Sequence, residues 1–216
     1  MTTIAIVGAG PGLGAAVAER FGREGFSVAL ISRRPENLAE DLGVRGITAK
    51  AYPADVHDRD GLTRALAAAA EELGPVEVLQ YSPVPRREFL RPVLDTTADE
   101  LSAAVEFSIL GPVAAVGQVL PGMSDLGRGT VLLVNGASAA TPNGNVAGTS
   151  IAFAGESAYG AMLHDALARV NIHVGQLIIP GAIGGGDPLH APDVLAERLW
   201  TIHTRRGPFR TTVGAA

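Results

Sequence analysis

Near the amino terminus the segment Gly8-Ala9-Gly10-Pro11-Gly12-Leu13-Gly14 sets four glycines between a short apolar run and a helix-forming stretch. A glycine backbone turns tightly and approaches a diphosphate with no Cβ in the way. The helix that follows offers free N–H groups and the positive end of its dipole. The spacing is G-x-x-x-G-x-G over positions 8, 12 and 14; G-x-G-x-x-G fails because position 13 is Leu. A bare strand–helix turn would use the same residues, but its place directly after the first strand favours a nucleotide. The second apolar run ends in Ser32-Arg33-Arg34, with no Asp or Glu to hold ribose hydroxyls. A carboxylate there repels a 2′-phosphate, whereas guanidinium groups pair with one bidentately. NADP(H) is therefore favoured over NAD(H), the other reading being two solvated arginines. The missing acid also counts against a ribose-bearing methyl donor.

Other reactive side chains are fewer. Ser138 follows the run Thr130–Asn135, at a strand's carboxyl end where open α/β sheets bind ligands. It could bond a substrate carbonyl or cap the following loop. Tyr159 and His164 share a helical segment and read as packing or surface residues, with Tyr159 the nearest tyrosine to a displaced acid. His57, His173, His190 and His203 are scattered, with no H-E-x-x-H spacing, so no metal is expected. Arg86, Arg87 and Arg91 form a basic loop that is either solvated or open to an acidic ligand. The glycine-rich stretch Gly181–Gly186 could offer backbone groups, at Ala182 and Ile183 first, to a bound ring.

These residues need elements to position them, and the apolar pattern supplies them. Strands are expected at Thr3–Val7, Phe26–Ile31, Gly46–Tyr52, Val76–Tyr81, Thr130–Asn135, His173–Ile179 and Phe209–Val213. Helices are expected over Leu13–Arg23, Pro35–Leu42, Asp58–Leu73, Thr97 to about Met123, about Ile151–Val170 and Pro192–Thr204. Strands alternating with helices mean βαβ units and a parallel sheet, and continuously apolar strands mean helices on both faces. The expected fold is α/β, a single doubly wound Rossmann-like domain over residues 1–216 with a seven-stranded parallel sheet.

Composition narrows the partners. The 216 residues are 47% hydrophobic and 18% charged, too apolar for disorder. A net charge of −5 argues against a nucleic-acid partner. The absence of cysteine removes disulfides, thiolate metal sites and cysteine nucleophiles. Of 17 basic residues only Lys50 is lysine. Met1–Ala18 lacks the basic start of a leader, and glycines break it; no membrane partner is expected and the default compartment is the cytoplasm.

The chain resembles the short-chain dehydrogenase/reductase family over nearly its whole length. Val7-Gly8 to Gly14 is similar to that family's T-G-x-x-x-G-x-G, and Ala54-Asp55-Val56 to its adenine-contacting Asp-Val pair. Leu79 to Pro83, including Tyr81 and Ser82, occupies the place of its Asn-Asn-Ala-Gly without sharing those side chains. Leu132 to Ser138 resembles the strand that delivers its catalytic Ser. Pro180-Gly181 resembles the Pro-Gly beside the nicotinamide. The resemblance places the family's active-site Asn at Ser108. It implies a Tyr acid with a Lys one helical turn later, which lowers the Tyr pKa. Counting on from Ser138 and back from the sixth strand puts these slots at Thr149 and Phe153. Tyr159 lies 21 residues after Ser138, and its i+4 neighbour is Leu163. The resemblance further implies a homodimer or homotetramer through the helices around Val105–Leu120 and Ile151–Val170.

Two functions follow from the sequence. One is an NADP(H)-binding oxidoreductase acting on a small carbonyl or alcohol with an incomplete catalytic set, Ser138 polarising the oxygen and Tyr159 the only nearby tyrosine. The other is a non-enzymatic NADP(H)-responsive module with no small-molecule substrate.

Overall fold

A computed structural model describes residues 2–214. In chain order the elements are β1 (Thr3–Val7), α1 (Leu13–Gly22), β2 (Ser27–Ser32), α2 (Glu36–Val44), β3 (Ala49–Pro53), α3 (Arg59–Leu73), β4 (Val76–Tyr81), α4 (Ala98–Val105), α5 (Gly111–Asp125), β5 (Gly129–Gly136), α6 (Ala147–Leu167), β6 (Ile172–Ile179), α7 (Pro192–Arg205) and β7 (Arg210–Thr212). The strands form one parallel sheet in the order β3-β2-β1-β4-β5-β6-β7. This is the seven-stranded doubly wound arrangement expected from the alternation.

Every residue of β1, β4 and β6 is buried, because helices cover both faces. On one face Leu13, Val17 and Phe21 of α1 meet Leu195 and Leu199 of α7. On the other, Leu62 and Leu66 of α3, Ala115 and Val119 of α5 and Ala152 of α6 share a core with Leu79 and Leu133. Side chains fix two helix starts. Asp58 accepts from the Gly61 N–H at 2.9 Å. Thr97 and Glu100 form a reciprocal capping box, at 3.2 and 3.0 Å.

The long helix expected from Thr97 to Met123 is not regular. Between α4 and α5 it takes a π turn over Glu106–Leu110. The Gly111 N–H bonds the Glu106 carbonyl, five residues back. The Phe107 carbonyl then has no helical donor, since the next residue, Pro112, has no N–H. Tyr81 supplies one, its hydroxyl donating to that carbonyl at 2.6 Å. Gly111 has no Cβ, and one there would occupy the place of the Tyr81 hydroxyl. The run Ala98–Asp125 is long and apolar enough to cross a membrane by length and composition alone; here Ala104, Phe107, Val116 and Met123 on it are core residues.

A second buried polar feature links α6 to the sheet. Asn135 Nδ2 donates to Glu156 Oε2 at 2.9 Å, and Gln176 Nε2 donates to Asn135 Oδ1 at 2.8 Å. Gln176 Oε1 accepts from Ser157 at 2.8 Å and from Arg210 Nε at 3.0 Å. Glu156 is 1% exposed, and its Oε1 has no partner. Desolvation pushes its carboxyl up to about 8, against the Asn135 hydrogen bond, which favours the charged form.

A raised acid pKa means that the folded protein holds a proton the unfolded chain releases. The stability this proton supports is complete below about pH 4.5 and is lost as pH rises through about 8. His173, lowered to about 4 by burial, contributes with the opposite sign at lower pH, so the comparison must be between variants. Denaturant unfolding of Glu156→Gln against the parent should show a gain that grows from pH 5 to pH 8, reaching a few kcal/mol. A pH-independent difference would contradict the assignment.

Candidate nucleotide-binding site

The site begins where β1 and β4 part. Val7 pairs with Tyr81, and the Ser82 N–H donates to the Val7 carbonyl at 2.9 Å. The chain leaves β1 through Gly8, at φ +90°. A Cβ on Gly8 would stand 2.5 Å from both N and Cα of Pro83, so glycine alone lets these strand ends pass so closely.

Gly12 has a different use. A Cβ there meets nothing within 4 Å, because the backbone borders open space. Gly12 precedes α1 with no side chain to cap it, and no acid stands in the first turn. The turn's backbone bonds run from Gly8 and Ala9 to the Ile31 carbonyl and from Ala15 and Ala16 to Gly10 and Gly12. Among the described residues none occupies the N–H groups of Gly12, Leu13 or Gly14. Free donors at a helix start beside open space fit the oxygens of a diphosphate.

Two clefts flank this turn and share Gly8, Gly10, Pro11, Pro83 and Val84. The first, about 340 Å³, brings together Ser32, Arg33, Arg34, Asp55 and Val56. Both arginines are exposed, and neither is in an ion pair with another described residue. Asp55 accepts from the His57 N–H at 3.0 Å and lies 3.8 Å from Arg86. Burial, and then the charge of Arg86, hold His57 below the ordinary imidazole value.

The second cleft, about 620 Å³, brings Leu13, Gly14, Ser82, Ser138, Gly181 and Ile183 together with Thr149 and Phe153. Thr149 gives its hydroxyl proton to the Val146 carbonyl at 3.0 Å. Lys50 is far in the fold from these residues, on β3, paired with Glu72 at 3.0 Å.

Five expected residues stand apart. The Tyr81 side chain is buried under α5 and bonded to Phe107, so it faces the core and not a ligand. Tyr159 packs half-buried against the core around α5 and β5, and desolvation raises its hydroxyl pKa; it borders neither cleft. Pro180 and Ala182 are exposed beside Gly181 and Ile183 but line neither cleft. Ser108 is 2% exposed within the π turn and is likewise outside both. Sequence reasoning left Arg86 and His57 outside the site, and it did not mark Asn143 or Val146. Arg86 was visible only as one of three loop arginines; Asn143 and Val146 carry no periodic signal.

The short chain dehydrogenase family profile matches residues 2–186. The chain belongs to the short-chain dehydrogenase family. Among curated members, glycine betaine reductase ATRR of Emericella nidulans is 34% identical over 133 residues, covering 60% of this chain and 10% of that protein. The 2,3-dihydro-2,3-dihydroxybenzoate dehydrogenase of Bacillus subtilis is 29% identical over 182 residues, covering 82% of this chain and 68% of its own length. This chain thus spans a tenth of one curated relative and about two thirds of the other. A short-chain dehydrogenase from Rhodopseudomonas palustris superposes with a TM-score of 0.87 at 24% identity, over 100% of this chain and 99% of its own. A metagenomic short-chain oxidoreductase in complex with NADP gives 0.84 at 19%, over 98% and 95%. At these identities the superpositions establish the shared fold.

The geometry separates two glycine roles within one turn. Gly8→Ala must displace the Pro83 backbone and should cost at least about 2 kcal/mol in chemical unfolding. Gly10→Ala, whose methyl would meet only the Gly8 carbonyl, at 4.0 Å, should leave the melting temperature within a few degrees.

Proposed function

We propose that this chain binds NADP(H) and is an oxidoreductase toward a small carbonyl or alcohol, with an altered proton-donating set. The observation that carries the reading is the run of unpaired N–H groups at Gly12 to Gly14 on the second cleft, which shares the Gly8–Pro11 turn with the first cleft and its Arg33 and Arg34. Those N–H groups would hold the diphosphate, and Ser32, Arg33 and Arg34 the 2′-phosphate. Asp55 and Val56 border the adenine end; Ser82, Gly181 and Ile183 border the other. The NADP in the metagenomic neighbour supports the same choice.

A bound nicotinamide dinucleotide supplies or accepts the hydride. The chain must then hold the substrate oxygen and provide for its proton. Ser138, partly exposed in the second cleft, is placed to donate a hydrogen bond to that oxygen. Thr149 is not, because its proton is already engaged. None of the residues lining the second cleft is ionisable, so the proton of carbonyl reduction would come from water. Loss of a positioned general acid costs about 10² to 10⁴ in rate. The helical surface carrying exposed Val113, Ile151 and Met162 would seat a second copy of the chain.

The same lack of an ionisable group favours a second reading, a non-enzymatic NADP(H)-responsive module. Stopped-flow single turnover with bound NADPH and a carbonyl panel separates them. Oxidation of NADPH that Ser138→Ala abolishes supports the enzyme; binding with no turnover supports the module.

NADPH fluorescence should titrate saturably, and Arg33→Ala should weaken NADP(H) at least tenfold more than NAD(H). Equal losses, or no saturable binding, would overturn the cofactor assignment. The double variant Thr149→Tyr/Phe153→Lys should raise single-turnover NADPH oxidation by about 10² or more. A folded double variant with parental rates would show that these two positions do not limit the chemistry.

A further inference from the structure

The second cleft carries no charged side chain. None of its 23 lining residues has an ionisable side chain. Val84, Leu90, Val146, Phe153, Ile179 and Ile183 supply its apolar surface. Phe153 is 7% exposed and packs with the buried Ala139 and Ile178.

Its polar groups are mostly spent. Asn135 gives Nδ2 to Glu156 and takes Gln176 at Oδ1. Thr149 donates into its own helix. Asn143 exchanges both backbone groups with Ser150 at 3.0 Å, and its Oδ1 accepts from the Asn145 N–H at 3.0 Å. Apart from the backbone N–H groups of Gly12, Leu13 and Gly14 at the start of α1 and the second amide N–H of Asn135, the donors that remain are Asn143 Nδ2 and the hydroxyls of Ser82 and Ser138. Buried Gln80 fixes one of them. Its Nε2 donates to Ser82 Oγ at 2.6 Å, which leaves the Ser82 proton free for another acceptor. The surviving capacity suits an acceptor oxygen.

Charge lies elsewhere. Arg33, Arg34 and Arg86 line the first cleft, beyond the Gly8 turn. Arg91, near the rim residue Leu90, is paired with Glu100 at 3.0 Å. A carboxylate or ammonium seated beside Ser82 and Ser138, away from the α1 start, would lose its water and meet no charged side chain.

We infer that the second cleft takes an uncharged, largely apolar carbonyl compound, its oxygen held by the hydroxyls of Ser82 and Ser138, and discriminates against anionic substrates. The role of that oxygen as the reacting one rests on the proposed oxidoreductase function; the charge preference does not.

The test uses the full chain and two ketones of nearly equal shape, 2-acetylnaphthalene and 6-acetyl-2-naphthoate. Their affinities are measured by ligand-observed NMR at pH 7.5, with and without saturating NADPH. The neutral ketone should bind at least tenfold more tightly in both conditions. Leu90→Arg, at a half-exposed rim position, should strengthen the naphthoate at least fivefold. Phe153→Lys serves as a second variant with the same expected direction. Equal or tighter binding of the naphthoate by the parent overturns the inference, as does indifference of both variants. Failure of NADPH to bind, with the neutral preference intact, overturns the cofactor assignment and leaves this inference standing.

Discussion

The close passage of Gly8 against Pro83 is the contact on which the rest depends. It lies at the point where strand order reverses, with β2 on one side of β1 and β4 on the other. Parallel sheets open a crevice there, because the chains leaving neighbouring strands turn to opposite faces. A side chain at position 8 would prise the two exits apart. Both clefts share this border, so one backbone distance sets the arginine-flanked end and the neutral end together.

The wall behind that crevice is held by a second accommodation. The π turn leaves the Phe107 carbonyl without a helical donor, and Tyr81, at the last position of β4, donates to it. Strand end and helix turn are thereby fixed to each other. Phe107 borders the first cleft, and the preceding Glu106 is held by Arg59 at 2.6 Å. Turns of this kind insert one residue into a helix and reposition its neighbours. The Asn135–Gln176 pair does similar work between β5 and β6, holding the Asn135 amide at the second cleft through both its Nδ2 and its Oδ1.

Much of this was legible in the sequence because glycine and charge act locally. The spacing 8, 12, 14, the arginines at 33 and 34 and the slots at 149 and 153 all fall on clefts in the fold. Tyr81 was misjudged for a physical reason. A strand covered on both faces is apolar throughout, so no alternation tells which side a given residue takes. Tyr159 fails on distance: ten residues along a helix from Thr149 is about 15 Å. The π turn was hidden because Glu106 to Leu110 keep an ordinary helical pattern. Only Pro112 marked a break, and proline is also at home in the first turn of a helix. Arg86 depends on the path of an irregular loop, which no periodicity encodes.

The two margins of the sheet carry a consequence of their own. β3 ends in Pro53 and bears the exposed Lys50, while β7 pairs with β6 over only Gln176–Ile178. Beside the part of β6 that β7 leaves uncovered, His164 Nδ1 lies 2.7 Å from the Val174 carbonyl. Neither margin offers a foreign chain a long row of open hydrogen-bonding positions. Growth by adding strands is disfavoured at both ends.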